Sequence, residues 1–548
     1  MQFVPIKVDI ARPLAAGVDI VAATRELLAG LARQPWGQVS PSIYETGRLV
    51  TLAPWLIGHA ERLRYLLDSQ RPDGGWGAPG GYALVPTLSA TEALLATLRG
   101  IAAGRQPAVG RADLASAADR GLRVLHRWLR ADRLSIPDTP AVDLIIPALV
   151  ASINQQLDEV RESPLTGLDA WRGEARLGIP KRMDSSHLDR IRQALIAGAR
   201  APEKLLHAWE VAGNPPHGAT GIHPASPGTV GASPAATAAW LGGTGLVGSS
   251  HSVHQALAYL ETVARQLGGP VPCAVPITVF ERGWVLSGLA RAGVPLAPPP
   301  ELVSSLAVAI GPAGTPAGPG LPADADTTSV ALHALVQLGT TLAPESLWGY
   351  EMTPYFCTWP GEDGISVTTN AHVLDAFGAY LTTVPDVAGR YQAAVVQLSA
   401  WLVEQQLASG EWGDRWHASP YYATACCVLA LDQFGCGPSA SASVARAIEW
   451  VLATQRSDGS WGRWTGTVEE TAYAMHILLA PAGLTERRHI AAAAIRGYTY
   501  LQETAGRQDD PPLWHDKDLY CPSAIVRAAT LAALHLAQSR PDLMTSRA

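Results

Sequence analysis

Gln70-Arg-Pro-Asp-Gly-Gly-Trp76-Gly77 returns as Gln406-Leu-Ala-Ser-Gly-Glu-Trp412-Gly413 and as Gln455-Arg-Ser-Asp-Gly-Ser-Trp461-Gly462. All three read Q-x3-G-x-W-G. A turn reused with the same glutamine and tryptophan means that one supersecondary unit is repeated. Around these turns apolar residues recur at helical spacing, as in TEALLATLRGIAAG (91–104), TTSVALHALVQLG (327–339) and ASVARAIEWVLATQ (442–455). The turns therefore join helices. The glutamine is expected to bond orphan N–H groups of the next helix and to stack under the indole, which adds apolar area to the turn.

The same pattern extends outward. Gly/Pro-rich breaks such as RPDGGWGAPGG (71–81), GVPLAPPPE (293–301) and GPAGTPAGPGLPADAD (311–326) separate medium-length apolar helices, and strict alternation is scarce. Many helices joined by such turns predict an all-α array of hairpins. Composition agrees. The chain has 548 residues, 47% apolar and only 16% charged, enough for more than one core and too apolar for disorder. A net charge of −7 argues against a dedicated nucleic-acid binder. Six cysteines without a CxxC pair read as reduced thiols of a cytoplasmic protein. The N-terminus lacks a secretory pattern, and no apolar run is long enough to span a membrane. Tryptophan, at 17 against 5 Phe, exceeds what packing needs, and the repeated turn explains part of the excess.

The turns resemble the QW motifs of the squalene-cyclase superfamily. Other segments extend the likeness over roughly residues 35–535. Ser42-Ile-Tyr-Glu-Thr-Gly47 resembles the SxYDTA segment of class II diterpene cyclases, with Glu45 for Asp and Gly47 for Ala. GASPAATAAW (231–240), VPITVFERGW (275–284), SVTTNAHVL (366–374), YYATA (421–425), GTVEETAYA (466–474) and LWHDKDLYCP (513–522) resemble family segments in order and spacing. Asp324-Ala-Asp326-Thr327-Thr328 resembles the acid motif DxDD in its DxDTT variant. The resemblance implies two α-helical double barrels, β and γ, with γ inserted after the first helix of β. Residues 1–35 would give that helix, 36–201 the γ domain and 202–548 the rest of β.

Apart from any family, Asp324 and Asp326 follow a Gly/Pro loop and precede an apolar helix. Capping of that helix is one reading. Proton donation is the other: burial and a neighbouring carboxylate both raise an Asp pKa and keep it protonated. By resemblance Asp326 is the general acid and Asp324 its partner, while Thr327 and Thr328 add hydrogen bonds without charge. Asn370 is expected to face Asp326 and fix its proton. Carbocations need π faces in a dry cavity, each worth about 2 kcal/mol when desolvated. Trp284 and Trp359 are the first candidates, followed by Phe356, Tyr421 and Tyr422.

The diphosphate end is less clearly marked. By resemblance an acidic run would hold Mg²⁺ near ADRLSIPDTPAVD (131–143), where only Asp138 and Asp143 stand as candidate ligands. Lys517 and Arg527 are the cationic alternatives. Asp509-Asp510 lacks the further acid of a DDxxD motif, which predicts that the diphosphate is retained. No GxxxxGK[ST], HExxH or GxSxG occurs. The reading is a class II cyclase that turns linear geranylgeranyl diphosphate into a bicyclic labdane- or halimane-type diphosphate, with Mg²⁺ as cofactor. A homodimer is compatible with it. Farnesyl diphosphate giving drimenyl diphosphate, a squalene-type triterpene cyclase and a non-catalytic prenyl-binding barrel remain alternatives.

Overall fold

The computed structural model describes residues 19–540 apart from 107–108, 132–133, 182, 213–220, 245–249, 363, 482–487, 505–506 and 508. Its helices form two closed rings. In the larger ring α10 (Thr278–Arg291), α12 (Ala325–Gln337), α13 (Val367–Thr383), α15 (Pro420–Phe434), α17 (Val468–Leu479) and α19 (Ser523–Gln538) pack in succession, and α19 returns to α10. Outside them lie α11 (Pro300–Ala309), α14 (Ala388–Glu404), α16 (Gly437–Ala453), α18 (Arg488–Thr504) and, against α19, α1 (Ile20–Arg33). Inner helices are buried nearly all round: α13 from Thr368 to Tyr380 and α17 along its whole length. A helix buried on every side has to be enclosed by others.

The smaller ring runs through α2 (Ile43–Leu52), α4 (Leu84–Ala102), α6 (Val142–Glu162), the 3₁₀ segment Glu203–Val211 and α8 (Pro234–Thr244), which returns to α2. Around it lie α3 (His59–Asp68), α5 (Arg111–Ala131), α7 (Ser185–Ile196) and α9 (His251–Gln266). The boundary expected at residue 201 falls too early. The γ ring cannot close without Glu203–Val211 and α8, and Tyr259, Leu260 and Val263 of α9 share a core with Leu49 and Ala53 of α2. Trp76 is in the γ core, whereas Trp412 and Trp461 are in the core of the larger, β ring.

The three Gln–Trp turns are built alike. Each indole N–H donates to a carbonyl of the preceding helix: Trp76 to Leu66, Trp412 to Leu402 and Trp461 to Val451, at 2.6, 2.8 and 2.7 Å. The glutamines act opposite to expectation. Gln455 Nε2 donates to the carbonyls of Gly459 and Ala493, both at 2.9 Å, and Gln70 and Gln406 make the equivalent pairs. They serve carbonyls rather than N–H groups, because the turn reaches the flank of the following outer helix, at Ala117 of α5, Ser443 of α16 and Ala493 of α18, rather than a helix start. The repeat's glycine is required for two reasons. Gly74, Gly410 and Gly459 have φ of 95°, 110° and 88°. A Cβ there would also meet the carbonyls of Arg120, Arg446 and Arg496 at 2.9, 2.7 and 2.8 Å.

One short ribbon joins the rings. Trp514–His515 pairs antiparallel with Leu519–Tyr520. Its residues reach across to γ: His515 Nε2 to Tyr82 Oη at 2.9 Å, Asp516 Oδ1 to His207 Nε2 at 2.7 Å, and Asp518 to Ser42 Oγ at 2.8 Å and the Tyr44 N–H at 2.9 Å. Lys517 pairs with Glu45 and, at 3.0 Å, with Glu210.

Candidate active site

Asp324 is the N-cap of α12 and accepts the Thr327 N–H at 2.5 Å. Thr328 Oγ1 donates to the Asp324 carbonyl at 2.5 Å and accepts the Thr315 N–H at 2.8 Å. The two threonines thus fix Asp324, and the capping geometry coexists with an acid. Burial, and then the neighbouring Asp326, push the Asp324 carboxyl up to about 8. Asp326, in the first turn of α12, keeps 15% of its side chain exposed, and its Oδ1 meets His372 Nδ1 at 2.7 Å. Burial disfavours a charged imidazole, but Asp326 outweighs it and holds His372 well above the ordinary histidine range.

His372 was not singled out from the sequence. Asn370, which was, does not bond Asp326. Its Oδ1 accepts the Phe356 N–H at 2.8 Å and its Nδ2 donates to the Phe356 and Ser366 carbonyls at 3.0 and 2.8 Å. Two residues along a helix point to nearly opposite sides, so only one of the pair can face α12, and it is the histidine.

The aromatic candidates separate by the helix face that they occupy. Trp284 and Tyr422 face the interior of the ring. Trp284 Nε1 donates to Tyr422 Oη at 2.8 Å, and its ring stands edge-on to His372 at 5.5 Å. Trp359 follows Thr358, whose carbonyl accepts the Ala325 N–H at the start of the acid helix; its indole is edge-on to Trp416 at 5.2 Å, with a buried N–H that has no partner among the described residues. Phe356 is fully buried among Trp348 and Phe377, where it fills core and offers no face to a cavity. Tyr421 points outward, tilted against Trp450 of α16 with the ring centroids 4.6 Å apart.

Two cavities flank this machinery. The lumen of the β ring holds about 90 Å³ and is lined by Trp284, His372, Tyr422 and Tyr473. A cleft of about 960 Å³ between γ and β is lined by Tyr65, Tyr82, Val275, Glu469 and Val526, with Arg71, Arg265, Arg507 and Arg527 on its wall. A single aromatic layer connects the two. Trp514 Nε1 donates to Glu469 at 2.7 Å on the cleft side, and its ring lies 4.7 Å from Tyr422 on the lumen side.

The expected charged ligands are placed otherwise. Lys517 is fully buried against Glu45, Glu210 and Ser233, and ties the rings together out of reach of a substrate. Glu210 and Glu45 outweigh burial and keep it charged. Arg527 does line the cleft, paired with Glu26 at 2.8 Å. Asp143 is exposed and pairs with His187 at 3.1 Å, whereas Asp138 pairs with Arg415 of the β ring at 2.8 Å. No group of three or more His, Cys, Asp or Glu side chains suited to a metal occurs among the described residues. The donor set therefore does not fit a Mg²⁺ cage at Asp138 and Asp143: Asp143 is taken up by His187 and Asp138 by Arg415, and neither belongs to a cluster of three ligating side chains among the described residues.

Paired carboxylates at the mouth of an aromatic-lined helical ring, in a chain with a second helical ring, define a class II terpene cyclase. Comparison with known proteins gives the same class. The squalene-hopene cyclase C-terminal domain is matched over residues 363–520. The ent-copalyl diphosphate synthase of Streptomyces sp. (strain KO-3988) is 41% identical over 94% of this chain and 96% of its own length. The labda-7,13-dienyl diphosphate synthase of Streptomyces clavuligerus is 42% identical over 95% and 94%. The structure of ent-copalyl diphosphate synthase from Streptomyces platensis superposes with a TM-score of 0.86 at 44% identity, covering 94% of this chain and 99% of that one. The chain belongs to the copalyl diphosphate synthase family of class II diterpene cyclases. Among the described residues no helix is long and apolar enough to cross a membrane.

Proposed function

We propose that the protein cyclises geranylgeranyl diphosphate to a bicyclic labdane- or halimane-type diphosphate. Asp326 protonates the terminal alkene: its O–H bond breaks, a C–H bond forms, and the cation draws in the next two alkenes to close two rings. Loss of a proton from carbon ends the cascade, and the C–O bond to the diphosphate stays intact. The observation that carries the reading is the Asp326–His372 contact of 2.7 Å at the mouth of the ring. His372 Nδ1 occupies one carboxyl oxygen and leaves the other for the alkene. Trp284 and Tyr422 present π faces beside it, and Asp324 orders the first turn.

Room favours the cleft as the berth for most of the chain. A volume of about 960 Å³ lies in the range of ligand pockets, roughly 300–1,000 Å³, whereas the lumen is far below it. The diphosphate lies on the arginine-bearing wall with Arg527, and the terminal alkene reaches Asp326 past Trp514 and Tyr422. All groups invoked come from one chain. The six cysteines are free, which supports a reducing, cytoplasmic setting.

The test is mass spectrometry of dephosphorylated products after separate incubation with geranylgeranyl and farnesyl diphosphate. A bicyclic twenty-carbon alcohol from wild type, absent with folded Asp326→Asn, is expected. Exclusive turnover of the fifteen-carbon substrate would replace the labdane assignment by a drimane one.

A further inference from the structure

The cascade has a second end. Each ring closure moves the positive charge along the chain, away from the carbon that Asp326 protonates and toward the diphosphate. The proton that is finally lost therefore leaves a carbon between the acid and the arginine wall. The group that takes it has to stand on the cleft side of the aromatic layer, within reach of that carbon. Three carboxylates line the cleft: Glu469, Asp510 and Asp518. Two of them hold helix starts. Asp518 accepts from Ser42 Oγ and the Tyr44 N–H at 2.8 and 2.9 Å, and Asp510 accepts the Val468 N–H at 2.7 Å. Glu469 is the one of the three that bonds Trp514, in the layer between cleft and lumen.

Glu469 and Glu470 are neighbours in the first turn of α17 and are used differently. Glu470 is spent on structure: it accepts from Ser419 Oγ at 2.6 Å, the Arg463 N–H at 2.7 Å and Thr467 Oγ1 at 2.9 Å. Glu469 accepts the Trp514 indole N–H at 2.7 Å and His417 Nε2–H at 3.2 Å, both on Oε1. The Ser419 N–H donates to His417 Nδ1 at 3.0 Å, so that nitrogen keeps its lone pair and the ring hydrogen is on Nε2. A ring protonated at Nδ1 as well, toward the Ser419 carbonyl at 3.2 Å, still donates through Nε2. Tyr473 is the third group at the carboxylate. Burial, and then the Glu469 charge, hold its phenol well above the ordinary range, so it stays a donor. A carboxylate has about four lone-pair sites. Those on Oε1 are filled and Tyr473 can fill one on Oε2, which leaves one open in the wall of the cleft.

We propose that Glu469 is the base that ends the cascade, with Trp514 and His417 as positioning residues that hold the plane of its carboxylate. In the β ring of six inner helices α12 and α17 stand three places apart, so Asp326 and Glu469 lie on opposite sides of the mouth. A continuous run of contacts joins them: His372 on Asp326, Trp284 edge-on to His372, Tyr422 bonded to Trp284, and Trp514 against Tyr422. Its π faces stabilise the cation between the two carboxyl groups. At the last step a C–H bond next to the cationic carbon breaks. Its electron pair becomes the new C=C bond, and the proton forms an O–H bond on Glu469 Oε2. Exchange with solvent through the cleft resets the carboxylate after product leaves. The inference rests on the cyclase reading above.

Glu469→Gln keeps the shape and an oxygen for Trp514 and His417 but is no base. The test gives it the diphosphate that wild type cyclises and reads the dephosphorylated products by gas chromatography and mass spectrometry, with folding checked by circular dichroism. The wild-type product should fall at least tenfold as a share of all bicyclic products. Double-bond isomers and a product one water heavier should replace it, because the cation then waits for another acceptor. Glu469→Asp, a carboxylate withdrawn by one methylene, should give a share between the two. It also decides the matter if the Gln protein does not fold, an unchanged product ratio then overturning the proposal. A wild-type product ratio in folded Glu469→Gln would overturn it, leaving the substrate's own diphosphate or water as the base. The same mixture from the Gln and Asp variants would overturn it too, since shape and not basicity would sort the products. A folded Gln variant without any bicyclic product would place Glu469 in the first step instead of the last. Failure of wild type to cyclise either geranylgeranyl or farnesyl diphosphate is a separate result: it removes the cyclase reading, and the base with it.

Discussion

His372 and Asp326, on neighbouring inner helices, meet at 2.7 Å through Nδ1 and Oδ1. The contact occupies one carboxyl oxygen and leaves the other for substrate. It also sets a division of labour, in which the histidine charges the site and the aspartate delivers the proton. His372→Phe keeps a ring in the lumen and removes the charge. Its kcat is expected to fall by about 10²-fold or more, within the range for loss of acid–base assistance, with KM little changed because the imidazole touches Asp326 and not the substrate. Single-turnover and steady-state kinetics check the split; a raised KM with kcat intact would place His372 in substrate binding instead.

Asp324 makes stability depend on pH in a direction unusual for a carboxylate. Its folded value of about 8 lies above the ordinary 3.8. Between those values the folded state holds a proton that the unfolded chain has released, so stability is full below about pH 4 and is lost as pH rises through about 8. Asp324→Asn mimics the protonated form and keeps an acceptor for the Thr327 N–H. Its melting temperature relative to wild type should therefore climb steadily from pH 4 to pH 8.5. Activity should follow. Ionisation of Asp324 disturbs the capped first turn that carries the proton donor, and wild-type cyclisation should decline above about pH 8, a decline that the Asn variant lacks. Parallel melting and rate profiles decide this.

The all-α class was legible because the Gln–Trp turns and apolar periods are local, and local geometry leaves local marks. What lay across the fold was not. Asn370 and His372 stand two residues apart in one segment, and only the packing of α13 on α12 selects between them. Tyr421 and Tyr422 differ by one step of a helix, yet one packs on an outer tryptophan and the other lines the lumen. The γ boundary was misplaced because closing a ring is a tertiary condition with no sequence period. Lys517 sits in a run of four charged or titratable residues, His515 to Asp518, that reads as solvated surface; each finds its partner hundreds of residues away.

Gln455 tests the repeated turn. Its amide serves the carbonyls of Gly459 and Ala493. Gln455→Leu leaves both without that donor at nearly unchanged volume, and a buried acceptor left unmet costs about 1–3 kcal/mol. The variant should melt several degrees lower and keep its product profile. Gln455→Glu, which keeps the oxygen that faces Arg496 but loses the donor, should be destabilised as well. A Glu variant as stable as wild type would mean that the carbonyl contacts contribute little.

Lys517 and Arg527 were equivalent candidates for the diphosphate, and the structure separates them into two different phenotypes. Lys517 has no exposed side-chain surface and is surrounded by Glu45, Glu210 and Ser233. Lys517→Met abandons two buried carboxylates between the rings. Breaking a buried pair from one side costs about 3–5 kcal/mol, so the variant should unfold at markedly lower temperature, and any folded fraction should retain wild-type KM. Arg527 is on the cleft wall, and its partner Glu26 is half exposed, a weak surface pair whose loss costs little stability. Arg527→Met should therefore melt like wild type. A charge-assisted hydrogen bond to an anion is worth about 1.5–3 kcal/mol, so its KM for geranylgeranyl diphosphate should rise by about 10- to 100-fold with kcat nearly preserved. Melting curves and Michaelis kinetics on the two proteins side by side make the contrast. A stable Lys517→Met with raised KM, or an Arg527→Met with unchanged KM, would move the diphosphate away from the arginine wall.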